Sequence, residues 1–266
     1  MPGAGPLDGS CLDMTIRSKK LTFPGSGGNL LAGRLDLPAS DAAAYGLFAH
    51  CFTCGKEIRA ASAISHSLAR EGIGILRFDF TGLGSSEGDF ADTTFSSNIE
   101  DLVAAAHHLE QTVGPARLLV GHSLGGAAVL AAAGQLPEAK AVATIGAPFA
   151  AQYVRGLLAR DLATIERDGE AVVSIAGRPF RIRRELLDDL RETRSEATIA
   201  ELDRPLLILH SPSDTVVPVA NARRIFEVAR HPKSFVSLDG ADHLLSDPDA
   251  AAHAARILAA WARRYL

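Results

Sequence analysis

The chain is short of several features that would assign it to other classes. No apolar stretch in its 266 residues is long enough to cross a bilayer. Positive charge is not in excess: 27 Lys and Arg stand against 31 Asp and Glu, a formal net charge of −4. That balance gives no support for nucleic-acid binding, and no long basic run marks a membrane surface. Only three cysteines occur, an odd number that makes no disulfide framework and points to a reduced, cytoplasmic setting. Residues 1–14 lack both a basic start and an apolar stretch, so they read as a loose tail rather than a secretory signal. No His, Cys, Asp or Glu cluster has metal-ligand spacing. G-x-G-x-x-G is missing as well, and no cofactor is expected.

What is present is a regular alternation. Forty-seven per cent of the residues are hydrophobic, and the length fits one large α/β domain better than two small ones. Leu21-Thr22-Phe23, a glycine-rich turn over Gly25 to Asn29, and Leu30 to Leu37 read as a hairpin. Short apolar strands are expected at Gly46–His50, Ile73–Phe80, Ala116–Val120, Ala139–Ala147, Pro205–Ser211 and Ser234–Leu238. Helical patterns separate them at Glu57–Glu71, Thr94–Val113 and after Ser123, and an amphipathic helix over Ala250–Leu266 closes the chain. Continuous apolar strands between helices predict a mostly parallel, doubly wound sheet of about eight strands covered on both faces. The core is assigned to 15–149 and 205–266. The intervening segment 150–204 is long, charged and mixed, and reads as an inserted cap. In it we expect a helix around Tyr153–Ile165, a hairpin of Ala171–Ile175 and Phe180–Ile182, and a helix over Glu185–Arg191. Its arginines are nearly balanced by acids and read as a solvated face.

Chemistry is concentrated at Gly121-His122-Ser123-Leu124-Gly125. This is G-x-S-x-G between a β-prone strand and a run of helix formers, the setting of a nucleophile elbow. A serine hydroxyl is a poor nucleophile at neutral pH and needs a base, and the base needs an orienting acid. With an elbow, the chain order is Ser, acid, His. Asp214 follows the strand ending near Ser211, at the strand end where such sheets place their chemistry. Asp203, before its strand, and Asp239 are weaker rivals. His243 follows the last strand and is the only one of the nine histidines at a strand end after Asp214. The candidate catalytic set is Ser123, Asp214 and His243. Oxyanion donors are expected from the backbone amide of Leu124 and, from the loop after the early strand, that of Phe52. Asp79 with the Gly82/Gly84 turn reads as a fixture of the loop beside the elbow. Phe149, Tyr153 and Leu157 are candidate pocket residues.

These residues carry a resemblance. Over nearly its whole length the chain resembles the α/β-hydrolase superfamily. His50-Cys51-Phe52 is similar to the His-Gly-Phe loop of many esterases, and Arg77 to Gly88 is similar to their R-x-D-x-x-G-x-G-x-S-x-G strand-loop. More narrowly, Ala49 to Cys54 and Gly177 to Ile182 resemble the hydrolase half of bacterial proteins that fuse an α/β-hydrolase to an OsmC-type peroxide-reducing domain. With the sequence ending at Leu266, the expectation is the hydrolase half without the second domain. The resemblance implies an α/β-hydrolase fold and serine hydrolase chemistry at Ser123, Asp214 and His243. A hairpin-bearing cap similar to that of cinnamoyl and feruloyl esterases implies small or aromatic carboxylic esters as substrates.

One departure stands out. Cys51 occupies the place of the usual glycine, and with Cys54 it makes a C-x-x-C. The plainer expectation is two small buried thiols. The sharper one is a redox pair whose disulfide would distort the oxyanion loop. The leading expectation is therefore a serine esterase, monomeric or homodimeric, with a small-molecule ester substrate and neither nucleic-acid nor membrane partners. A thioesterase or amidase, a non-catalytic binding module on the same fold, and a thiol-redox protein are the alternatives.

Overall fold

A computed structural model describes residues 15–50, 52–175 and 177–266. Ten strands are formed among them: β1 (Arg17–Pro24), β2 (Leu30–Leu37), β3 (Ala44–Ala49), β4 (Ile73–Phe78), β5 (Ala116–His122), β6 (Ala141–Ile145), β7 (Glu170–Ile175), β8 (Arg178–Arg183), β9 (Leu206–His210) and β10 (Lys233–Ser237). Eight of them make one sheet in the order β1-β2-β4-β3-β5-β6-β9-β10, and β7 pairs with β8 in a separate antiparallel ribbon. Only the β1–β2 and β2–β4 pairings in the large sheet are antiparallel; from β4 to β10 every neighbour is parallel. This is the α/β-hydrolase fold. The crossover from β3 out to β4 and back to β5 leaves a crevice above the C-terminal ends of the central strands, where sheets of this kind bind ligands.

Side-chain alternation along the strands divides the interior in two. Leu118 and Val120 of β5, with Leu207 and Leu209 of β9, face α1 (Arg59–Arg70) and α9 (Pro248–Ala262), meeting Ile64, Leu68 and Leu258. Leu119, Leu206 and Ile208 face the other way, toward α2 (Phe95–Thr112), α3 (Leu124–Ala132) and α8 (Ala220–Val228). With both faces buried, these strands have no polar side to show, hence their continuous apolar runs. Helix starts are locally encoded. Thr94 and Ser97 form a reciprocal capping box on α2, and Asp247 caps α9 ahead of Pro248. The only tryptophan, Trp261, sits on α9 against Tyr265, ring centroids 5.0 Å apart.

Several boundaries differ from the sequence reading. β4 ends at Phe78 rather than Phe80, and β6 covers Ala141–Ile145 rather than Ala139–Ala147. The single helix expected at Tyr153–Ile165 is two, α4 (Tyr153–Leu157) and α5 (Leu162–Asp168). A turn between them occupies the charged stretch at Arg160, where helical spacing of apolar residues lapses. The hairpin of 150–204 forms as β7 and β8, and α6 (Arg184–Glu192) follows it. An unforeseen helix, α7 (Ser195–Glu201), buries little beyond Ile199. Among the described residues no helix is long and apolar enough to cross a membrane.

Candidate active site

The elbow is built by close approach. A side chain at Gly121 would collide with the Gly125 carbonyl, and one at Gly125 with the carbonyls of Ala49 and His50. Only hydrogen at these positions lets α3 start so near β3 and β5. Ser123, between them, takes φ 54 and ψ −125, a backbone region that non-glycine residues seldom enter. Its N–H donates to the Ile145 carbonyl at 2.8 Å, and its carbonyl accepts from Gly126 N–H at 2.8 Å. The turn is thus pinned on both sides with the hydroxyl facing out of the sheet.

Three side chains meet there from three strand ends. His243 Nε2 lies 2.9 Å from Ser123 Oγ, and His243 Nδ1 lies 2.7 Å from Asp214 Oδ2. With the proton on Nδ1, the ring donates to the carboxylate and accepts from the hydroxyl. The other oxygen, Oδ1, accepts the N–H groups of Val216 and Val217, each at 2.8 Å. Burial alone would raise the Asp214 carboxyl, but the hydrogen bonds from His243 and these two amides outweigh it and hold it below the usual carboxylate range. It therefore stays ionised, as a partner for an imidazolium must. The rivals are elsewhere. Asp203 and Asp239 are both exposed, and Asp239 accepts from Ser237 Oγ at 2.5 Å.

Two buried histidines support this arrangement, and sequence reasoning gave neither a role. His122 Nε2 donates to the His243 carbonyl at 2.7 Å, with the two rings 5.2 Å apart. Complete burial, aided by the nearby His243, pushes its pKa down to about 4, so it is a neutral donor. His210 Nε2 donates to the Val217 carbonyl at 2.8 Å and stands 3.6 Å from Asp214 Oδ2; burial lowers its pKa too. A histidine ending an otherwise apolar strand is the signal that could have flagged both.

Leu124 opens α3, so its N–H is among those without a partner inside the helix. Phe52 is half-buried against Phe90, with centroids 5.6 Å apart. Beside Phe52, Phe90, Phe95 and Leu124 lies an apolar cavity of about 10 Å³. Thr53 and Lys56 follow. Lys56 is buried, with Nζ 2.5 Å and backbone N 2.6 Å from the Asp79 carboxylate, which also accepts from Ser85 N–H at 2.9 Å. Arg77, 1% exposed, donates to Asp36 at 2.8 Å and to the Lys56 carbonyl. Asp79 thus fastens the loop after β3 to the loop after β4.

Cys51 lies outside the described residues. Cys54 is disulfide-bonded, so the expectation of a free thiol does not hold there. Of the candidate pocket residues, Phe149 is buried beneath the Arg224 guanidinium, 4.0 Å away, and Leu157 is 48% exposed. Tyr153 donates its hydroxyl to the Val216 carbonyl, beside the Asp214 loop. Among the described residues no His, Cys, Asp and Glu group could hold a metal ion.

A sequence model of the Alpha/beta hydrolase family matches residues 47–256. The chain belongs to the alpha/beta hydrolase family. Among solved structures, this hydrolase is 49% identical to the esterase domain of a Rhodothermus marinus protein, with a TM-score of 0.77, covering 94% of this chain and 99% of that one. Est1E from Butyrivibrio proteoclasticus, solved with ferulic acid bound, shares the fold at 20% identity, with a TM-score of 0.76 and 92% and 98% coverage. Among curated relatives, the mouse mitochondrial palmitoyl-protein thioesterase ABHD10 is 31% identical over 155 residues, 55% of this chain and 50% of that protein. The uncharacterized protein YfhR of Salmonella typhi is 29% identical over 180 residues, 66% of this chain. The hydrolase spans 57% of that protein's length.

Proposed function

We propose that the protein is a serine hydrolase that cleaves carboxylic esters through an acyl-enzyme. The observation that carries this is the unbroken chain of contacts Ser123 Oγ, His243 Nε2, His243 Nδ1 and Asp214 Oδ2, at 2.9 and 2.7 Å. Ser123 Oγ attacks the ester carbonyl carbon while its proton passes to His243 Nε2. Asp214 stabilises the imidazolium so formed. The carbonyl oxygen becomes an oxyanion received by the amides of Leu124 and Phe52. Collapse breaks the bond to the alcohol oxygen, which leaves with the proton from His243. A water, deprotonated by His243, then attacks the acyl carbon, and the acid departs as Ser123 regains its proton.

Short acyl groups are the favoured substrates. The cavity beside Phe52 and Leu124, about 10 Å³, has room for about one water molecule. Thioester cleavage is the second reading, favoured by the likeness to a palmitoyl-protein thioesterase. Three further proposals accompany this one: that 150–204 acts as a cap, that the chain works as a monomer or homodimer, and that it is akin to the hydrolase half of OsmC fusions. The last is in keeping with its likeness to a structure described as an esterase domain.

The test is hydrolysis of p-nitrophenyl esters from acetate to palmitate, beside matched thioesters, by the wild type and Ser123→Ala. Turnover fastest on acetate and abolished in the variant is expected. A wild type inert on every ester and thioester would overturn the proposal.

A further inference from the structure

Thr53 stands at φ 60, a left-handed backbone region that β-branched residues rarely enter. Such a conformation persists only where its surroundings hold it. One holding contact is local: the Thr53 hydroxyl donates to the Phe52 carbonyl at 2.6 Å. A second comes from 125 residues further along the chain, where Arg178 Nη2 at the start of β8 donates to the Thr53 carbonyl, and the disulfide at Cys54 restrains the residue that follows. The guanidinium is aimed by the ribbon that carries it. Its central carbon lies 5.1 Å from the centre of the Phe180 ring, and Phe180 packs edge-on against Phe90 at 5.3 Å. At the other end of β8, Arg183 reaches Asp92, in the same short turn (Phe90–Asp92) as Phe90. The ribbon is therefore anchored at both ends, and one anchor falls on the residue next to Phe52.

We propose that Arg178 is a positioning residue for the oxyanion hole, a role that rests on the esterase reading above. The Phe52 N–H lies on one side of the Phe52 Cα. The carbonyls of Phe52 and Thr53, both on the other side, accept from fixed donors. Pinning those two peptide planes removes one of the two torsions through which the Phe52 amide could turn away from the oxyanion. Without Arg178, Thr53 relaxes toward negative φ and carries that peptide with it. The ribbon so acts on the chemical step.

The test compares Arg178→Ala, Arg178→Lys and, as a control on the same ribbon, Arg181→Ala, whose exposed side chain pairs with Glu170, 3.3 Å away. In Arg178→Ala, kcat on p-nitrophenyl acetate should fall roughly 10- to 100-fold, less than the loss of an oxyanion donor itself, with KM within about twofold. Affinity for an aryl trifluoromethyl ketone should fall by the same factor. Its hemiketal forms by Ser123 Oγ adding to the carbonyl carbon as the hydroxyl proton passes to His243 Nε2, and the resulting alkoxide needs the hole. Arg178→Lys should recover part of both losses, and Arg181→Ala should match the wild type. The proposal is overturned if kcat and ketone affinity stay within about twofold in Arg178→Ala, if kcat falls without ketone affinity, or if Arg181→Ala loses as much. A wild type that neither turns over ester nor binds the ketone defeats the esterase reading, and this proposal with it.

Discussion

Two buried polar clusters sit at the same end of the sheet and are built on opposite plans. One joins Asp36, Arg77, Lys56 and Asp79, two cations with two anions, each nearly or wholly buried. The other joins Asp214, His243 and Ser123 and has a single fixed charge, surrounded by the neutral imidazoles of His210 and His122. In the first, each charge has an opposite partner already in place, and nothing is left to move. In the second, the negative charge faces the His243 ring at 2.7 Å, so a proton passed to that ring would find its counter-charge waiting. Full compensation makes a clamp, and compensation deferred is what the proposed proton relay would need.

The difference can be broken most severely at its one fixed anion. Asp214→Asn keeps the shape, but its amide can donate to the ring and favour the wrong tautomer. We expect kcat to fall by about three to four orders of magnitude with little change in folding. Ester turnover within tenfold of wild type would remove the relay from the comparison.

The clamp should respond in stability instead. Asp79→Ala strands Lys56 Nζ and two backbone amides, and should cost about 3–5 kcal/mol in urea unfolding. Adding Lys56→Met removes the stranded charge, so the double variant should be the more stable of the two. A double variant that loses the sum of both single effects would show that the pair is not coupled.

The smallest effect lies in pH. His122 has a folded-state pKa of about 4, against about 6.5 in an unfolded chain. Between these values the unfolded state takes up a proton that the native state refuses. Its contribution is complete above pH 6.5 and declines as pH falls toward 4, by about 2–3 kcal/mol between pH 7 and 4.5. His210 and His66 act in the same direction, since burial lowers both. Unfolding free energies measured across that range should therefore slope less in His122→Asn than in the wild type. Equal slopes would deny His122 its neutral role.

The elements of the sheet were legible because each central strand is buried on both faces and writes itself as an apolar run. Ser123, Asp214 and His243, which the structure brings together, could be picked out as candidates because each follows such a run in an order that the elbow dictates. The supporting cast was not legible. His122 acts on a carbonyl 121 residues away and Arg178 on one 125 residues away, and no local pattern announces a bond of that span. Lys56, in a loop, looks like a solvated lysine until β4 brings Asp79 beside it. Within 150–204 the short helices bury few residues each, too few to stamp a clear period on the sequence.

The lone indole of Trp261 gives the molecule a built-in optical marker of one layer only. It is seated with Tyr265 among the residues packed around α1 and α9, whereas the β7–β8 ribbon, α2 and α3 lie across the sheet. Its emission therefore follows the loosening of the rear layer and stays silent while the front rearranges. An added tryptophan on the ribbon would report the front against that quiet background.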